Sequence, residues 1–171
     1  FLFQVEEQVA ASLAYSHVAF CKNPVVNALI EYYYGIAQTQ GTELQVRIDL
    51  PDPMPLTDVE LCTVLGNLLD NAVEACSRQT KGKRRILAVG EIRGNMYFLK
   101  IENTYDGLIL PEEKTFRSRK GTAADHGIGL SSVRRILENH GGDLDLVPGE
   151  ETFLVGITIE CPFISKSQRV I

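Results

Sequence analysis

The stretch "GNLLDNAVEA", residues 66 to 75, sets Asn67, Asn71 and Glu74 in one line on a helix otherwise rich in Leu, Ala and Val. At about 100° per residue the three positions fall within about 60° of one another. Asn is a poor interior helix residue, because its side chain competes for backbone hydrogen bonds, so two in one stripe cost stability unless they act on something. An amide oxygen is a hard ligand, suited to a magnesium ion that already holds waters and phosphate oxygens. Taken alone, N-x-x-x-N reads more readily as a solvated helix face.

Three further features shift that balance. "HGIGL", residues 126 to 130, places Gly127 and Gly129 at a helix start, where freed backbone amides and the helix dipole favour a phosphate. Asn103 closes the apolar strand "YFLKIEN", from which a polar side chain can reach a ligand; it could also be a simple turn residue. The loop between them contains "RSRKG", residues 117 to 121, with Ser118 and Lys120 as movable phosphate donors. The order counts: polar helix, strand-end amide, basic loop, glycine-led helix.

The elements that must position these residues follow from periodicity and punctuation. Residues 4 to 18 carry Val5, Val9 and Leu13 at helical spacing. Asn23 followed by Pro24 opens a helix that stops near Gly41. "TELQVRIDLP" alternates as a strand. Thr57 and Glu60 form a capping box for a long helix whose Leu61, Leu65, Leu68, Ala72 and Cys76 make the sheet-facing side. Two strands, 85 to 92 and 96 to 102, flank a hairpin turn at Gly94 and Asn95. The segment 104 to 126 has no sustained period and is long enough to be functional or disordered. A helix closed by Gly141 and Gly142 and the strands "DLDLVP" and "TFLVGITIECP" complete the chain. So many sequential strands imply an α+β fold, a two-layer α/β sandwich with helices on one face of a mixed, mostly antiparallel sheet.

Composition narrows the class. A chain of 171 residues, 44% hydrophobic and 23% charged, supports one core. A formal charge of -5 speaks against a nucleic-acid surface. Cys21, Cys62, Cys76 and Cys161 are scattered without C-x-x-C pairing or nearby His, which suggests reduced thiols of a cytoplasmic protein rather than zinc or a disulfide framework. No apolar run reaches the roughly 18 residues that span a bilayer. The start at Phe1, Leu2 and Phe3, without Met, suggests a piece of a larger protein.

These residues together resemble the ATP-binding catalytic domain of sensor histidine kinases, in the GHKL (Bergerat-fold) superfamily shared with gyrase, the ninety-kilodalton heat-shock chaperone and mismatch-repair ATPases. "NLLDNAVEA" resembles the N box, "IENTYDG" the first glycine box and "HGIGLSSVRRI" the second. "NPVVNALI" and "HGIGLSSVRRILENHGG" are also similar to the peptide-sensing and LytS-like kinases of Gram-positive bacteria. The resemblance covers residues 22 to 162, leaving 1–21 as the end of an upstream dimerisation segment and 163–171 as a polar tail.

The resemblance implies ATP and Mg²⁺ as cofactors. Asn71 would hold the metal and Asn67 would support it, standing where hydrolytic relatives carry a Glu base. Asn103 would accept from the adenine amine, with Gly107 in the same box. Gly127, Gly129 and Leu130 would meet phosphates, Ser118 and Lys120 would belong to an ATP lid over 108 to 126, and His126 would contact lid or nucleotide. It implies as partners a dimerisation and phosphoacceptor domain, a response regulator, and a homodimeric, membrane-anchored parent. Three departures stand out: Asn103 replaces Asp, Tyr105 replaces Gly, and Glu74 replaces a phosphate-contacting Lys. His17 lies too near the domain to be the phosphoacceptor, and His140 suits a helix C-terminus. A serine kinase of the anti-sigma-factor type, or a docking module of the same fold without nucleotide, would share most of these features.

Overall fold

The computed structural model describes residues 20–108 and 128–161. The expected helix at 4 to 18, His17, most of the lid with Ser118, Lys120 and His126, Gly127 and the tail lie outside the described residues.

Helix α1 (Pro24–Thr39) begins as its sequence requires: the Asn23 side chain accepts from the Val25 and Val26 amides, and Pro24 occupies a position that needs no donor. The Asn23 amide also donates to Asp58 Oδ1 at 2.7 Å, tying the start of α1 to the start of the next helix. Strand β1 (Glu43–Ile48) follows, shorter than the alternation suggests. Helix α2 (Asp58–Arg78) carries the full capping box, with Thr57 Oγ1 accepting from Glu60 N and Glu60 Oε2 accepting from Thr57 N. Strands β2 (Arg85–Arg93) and β3 (Met96–Thr104) form the hairpin, with Gly94 at φ 61 in its two-residue turn. Helix α3 (Ile128–Asn139) ends where the Gly142 amide turns back to Leu137 O and Gly141 takes φ 66. Strands β4 (Asp143–Pro148) and β5 (Thr152–Glu160) finish the fold.

The five-stranded sheet runs β1-β2-β3-β5-β4. β1 and β2 are parallel, because α2 carries the chain back between them; the other three pairings are antiparallel. Helices α1, α2 and α3 pack on β1, on β2 with β3, and on β4 respectively, the α+β arrangement expected.

Strand alternation then decides what faces the helices. Register pairs Ala88, Ile101 and Val155 in one inward row, and Ile86, Asn103 and Phe153 in the next. Asn103 is thus a polar residue in an inward position, 4% exposed. β3 runs to Thr104, beyond the expected 102, because Thr104 still pairs with Thr152 and its hydroxyl accepts from Arg85 N. The predicted helix face Leu61, Leu65, Leu68, Ala72 and Cys76 is buried throughout, as is the inner face of β3 and β5. All four cysteines are free thiols.

One polar clamp joins the start of α2 to the end of α3. His140, just past α3, meets Glu60 Oε1 at 3.0 Å. The Glu60 carboxyl is held down at about 2, first by that hydrogen bond and then by the Thr57 amide and hydroxyl. A carboxyl lowered on folding adds stability that is complete above its unfolded value and is lost as pH falls toward the folded one. Glu60→Gln should therefore melt below the native protein at neutral pH, and thermal denaturation should show the gap closing as pH drops from about 4.5 toward about 2.

Candidate functional site

Between the C-terminal half of α2 and the ends of β3 and β5 lies an open cleft of about 350 Å³, counting its space open to solvent. Its walls are apolar: Leu68, Ala72 and Ala75 from α2, Val155 from β5 and Leu130 from the first turn of α3. Two amides face this lining. Asn71 stands half-buried on the α2 side, its side chain making no hydrogen bond among the described residues. Asn103 rises from the sheet, and its Nδ2 donates to Thr104 O at 3.0 Å. That bond orients the amide and leaves Oδ1 as an acceptor without a partner among the described residues, at the end of a row that is otherwise hydrophobic. An amide fixed in this way can accept a hydrogen bond from an amine held in the cleft.

The segment leaving β3 shapes the same end of the cleft. Tyr105, where the resemblance leads one to expect glycine, is buried; its hydroxyl donates to Gly149 O at 2.6 Å and its ring meets Phe153 edge-on at 5.9 Å. It closes the floor beneath Asn103 and anchors the β4–β5 turn. Gly107 takes φ 80, a left-handed conformation that favours glycine, directly after Asp106 has accepted the Leu108 amide.

Of the sequence-derived candidates, the fold brings Asn71, Asn103 and Leu130 together on the cleft. Glu74 does not line it: its carboxylate is exposed and paired with Arg78 at 3.1 Å. Gly107 is not itself in the lining but lies in the turn between Tyr105 and Leu108, which are. Arg78, absent from the candidates, does line the cleft, and its signal was available, since it extends the Asn67–Asn71–Glu74 stripe by another turn.

Comparison with known proteins agrees with this fold. Residues 56–160 match the GHKL domain family. The sensor protein kinase CarS of Pseudomonas aeruginosa is 36% identical over 138 residues, covering 75% of this chain and 28% of CarS, so the chain spans well under a third of that relative. Among solved structures, the catalytic domain of histidine kinase ThkA superposes with a TM-score of 0.57 at 18% identity, covering 82% of this chain and 92% of that one. Full-length ShkA in complex with AMPPNP gives a TM-score of 0.59 at 18% identity, covering 82% of this chain and 30% of ShkA.

Asn67 and Gly129 meet at the join of α2 and α3. Asn67 Nδ2 donates to Thr63 O at 2.7 Å, and a Cβ added to Gly129 would lie 2.8 Å from Asn67 Oδ1. Glycine at 129 therefore lets the helices approach over the Asn67 amide. Gly129→Ala should gain helix propensity but lose more by displacing Asn67, lowering stability by a net ~1 kcal/mol. Adding Asn67→Ala should recover that loss, an interaction that urea denaturation of the double-mutant cycle would measure.

Proposed function

This chain belongs to the GHKL domain family, and we propose that it is the ATP-binding catalytic domain of a two-component sensor histidine kinase, passing the γ-phosphoryl group of ATP to a His on a segment not in this chain. The observation that carries this reading is the pair of amides whose oxygens have no partner among the described residues, Asn71 on α2 and Asn103 on β3, both lining one apolar cleft. Asn103 Oδ1 accepts from the adenine amine. It does so without the charge of the Asp usual in the resembling family, so the base is held by a neutral hydrogen bond and by the apolar walls. The names of CarS and ThkA support a kinase role, and the AMPPNP bound to ShkA supports a nucleotide in this fold.

The donor set suits magnesium. Among the described residues no three His, Cys, Asp or Glu side chains gather into a metal cage, so the ion would rest on Asn71, phosphate oxygens and water, a sharing it favours. When bound, it neutralises phosphate charge. This chain's residues supply position: Asn71 on the phosphate side, Asn103 on the base, and Leu130 with the Gly129 amide in the first turn of α3 against the phosphates, a role the resemblance also gives to Gly127. Ser118 and Lys120 would close over them from the lid, with His126 beside it.

Asn67 adds a negative property. An amide has no basic lone pair at neutral pH, and this one is spent on Thr63 O and packed against Gly129. The site is thereby suited to hold ATP for transfer rather than to activate water. The proposed partners are a phosphoacceptor domain and a response regulator, in a homodimeric, membrane-anchored parent. No described helix is long and apolar enough to cross a membrane.

Titration calorimetry should find ATP binding that requires magnesium and weakens about tenfold in Asn103→Ala. Asn71→Ala in the parent kinase should abolish acid-labile phosphate on its His. Absence of binding at millimolar ATP would contradict the reading and favour a docking module instead; acid-stable phosphate on a partner protein would favour a serine kinase.

A further inference from the structure

The polar stripe of α2 continues past Glu74 to Arg78, which stands about 10 Å along the helix axis from Asn71 and within about 20° of the same line. Its side chain is 25% exposed and borders the cleft. Two carboxylates flank the guanidinium. Nη1 donates to Glu74 Oε1 at 3.1 Å, an i, i+4 pair on one helix, and Nε lies 4.0 Å from Asp106 Oδ2 on the turn leaving β3. Nε is shielded from water yet donates no hydrogen bond among the described residues.

The cleft has two ends, and Arg78 borders the one built by Asn103. Cys76 Sγ donates to Thr104 O at 3.4 Å, so the end of β3 meets α2 within a turn of Arg78. Asn71 lies further up the helix.

From this placement we infer that Arg78 binds the nucleoside half of the nucleotide, its guanidinium against the purine ring, and that Glu74 is a positioning residue which aims it. The inference rests on the nucleotide reading above. With the base on Asn103 and the triphosphate toward Asn71, the guanidinium stands beside the ring and away from the phosphates. It offers a planar face on which the ring can stack. The same pairing accounts for Glu74, whose exposed carboxylate holds the guanidinium from outside the cleft.

The test is calorimetry of the 171-residue chain with ATP, AMP and inorganic tripolyphosphate, each with magnesium, against Arg78→Ala, Arg78→Lys, Glu74→Gln and the Arg78→Ala/Glu74→Gln pair, with melting curves to confirm folding. Arg78→Ala should weaken ATP and AMP alike, about fivefold, and leave tripolyphosphate unchanged. Arg78→Lys should not restore binding, because an ammonium has neither plane nor fork. Glu74→Gln should weaken ATP in the native background and add nothing once Arg78 is gone. Native ATP affinity in Arg78→Ala, or an equal loss for tripolyphosphate, would overturn the inference. A native chain that binds tripolyphosphate but neither ATP nor AMP would overturn it too, whereas one that binds none of the three would fail the nucleotide reading itself.

Discussion

Everything at the site depends on how α2 lies on the sheet. Leu61, Leu65, Leu68 and Cys76 on its inner side are at most 1% exposed, and each buried Leu is worth about 1.5–3 kcal/mol. No rotation of the helix keeps that burial and moves the polar stripe, since a shift of one residue would turn the apolar line about 100° off the sheet. Core packing therefore fixes the angle at which Asn71 and Arg78 face the cleft. The capping box at Thr57 and the Asn23–Asp58 bond fix where the helix begins, and so how far along the sheet those side chains stand.

The sheet supplies the opposite wall by the same logic. Pleating puts Asn103 in an inward position one row beyond Ile101, and the antiparallel pairing with β5 sets Phe153 beside it. Burying an amide there costs free energy, which the bond to Thr104 O offsets on the donor side while leaving the acceptor to a ligand. A polar group placed and half satisfied in this way is a recognition element built on the rigid part of the fold.

Much of this was legible in the sequence, for identifiable reasons. The caps at Asn23 and Thr57 are local chemistry, and the strands alternate cleanly, so element order and the inner face of α2 follow from the residues alone. Asn71 and Asn103 stand out because amides are costly where they sit. Arg78 does not stand out, because an Arg on a helix reads as a solvated charge until the turn at Asp106 is brought beside it. Glu74 was drawn to the ligand by its place in the stripe, whereas its i, i+4 partner turns it away. Gly129 reads from sequence as phosphate chemistry, and the structure adds a packing role, since a Cβ there would lie 2.8 Å from Asn67 Oδ1. Tyr105 looked like a lost glycine and proves to be a floor residue anchored on Gly149. The places of Arg78, Gly129 and Tyr105 depend on contacts between elements distant in sequence, which local pattern does not encode.

The most direct test of the central claim, that nucleotide lies between α2 and the end of β3, is an amide NMR titration of the isotopically labelled chain with magnesium and AMPPNP. The account predicts saturable shifts concentrated in the side-chain amides of Asn71 and Asn103 and in the backbone from Ala75 to Arg78 and Tyr105 to Leu108, with β1 and the start of α1 unmoved. Shifts absent at saturating nucleotide, or centred on a surface away from these residues, would contradict it.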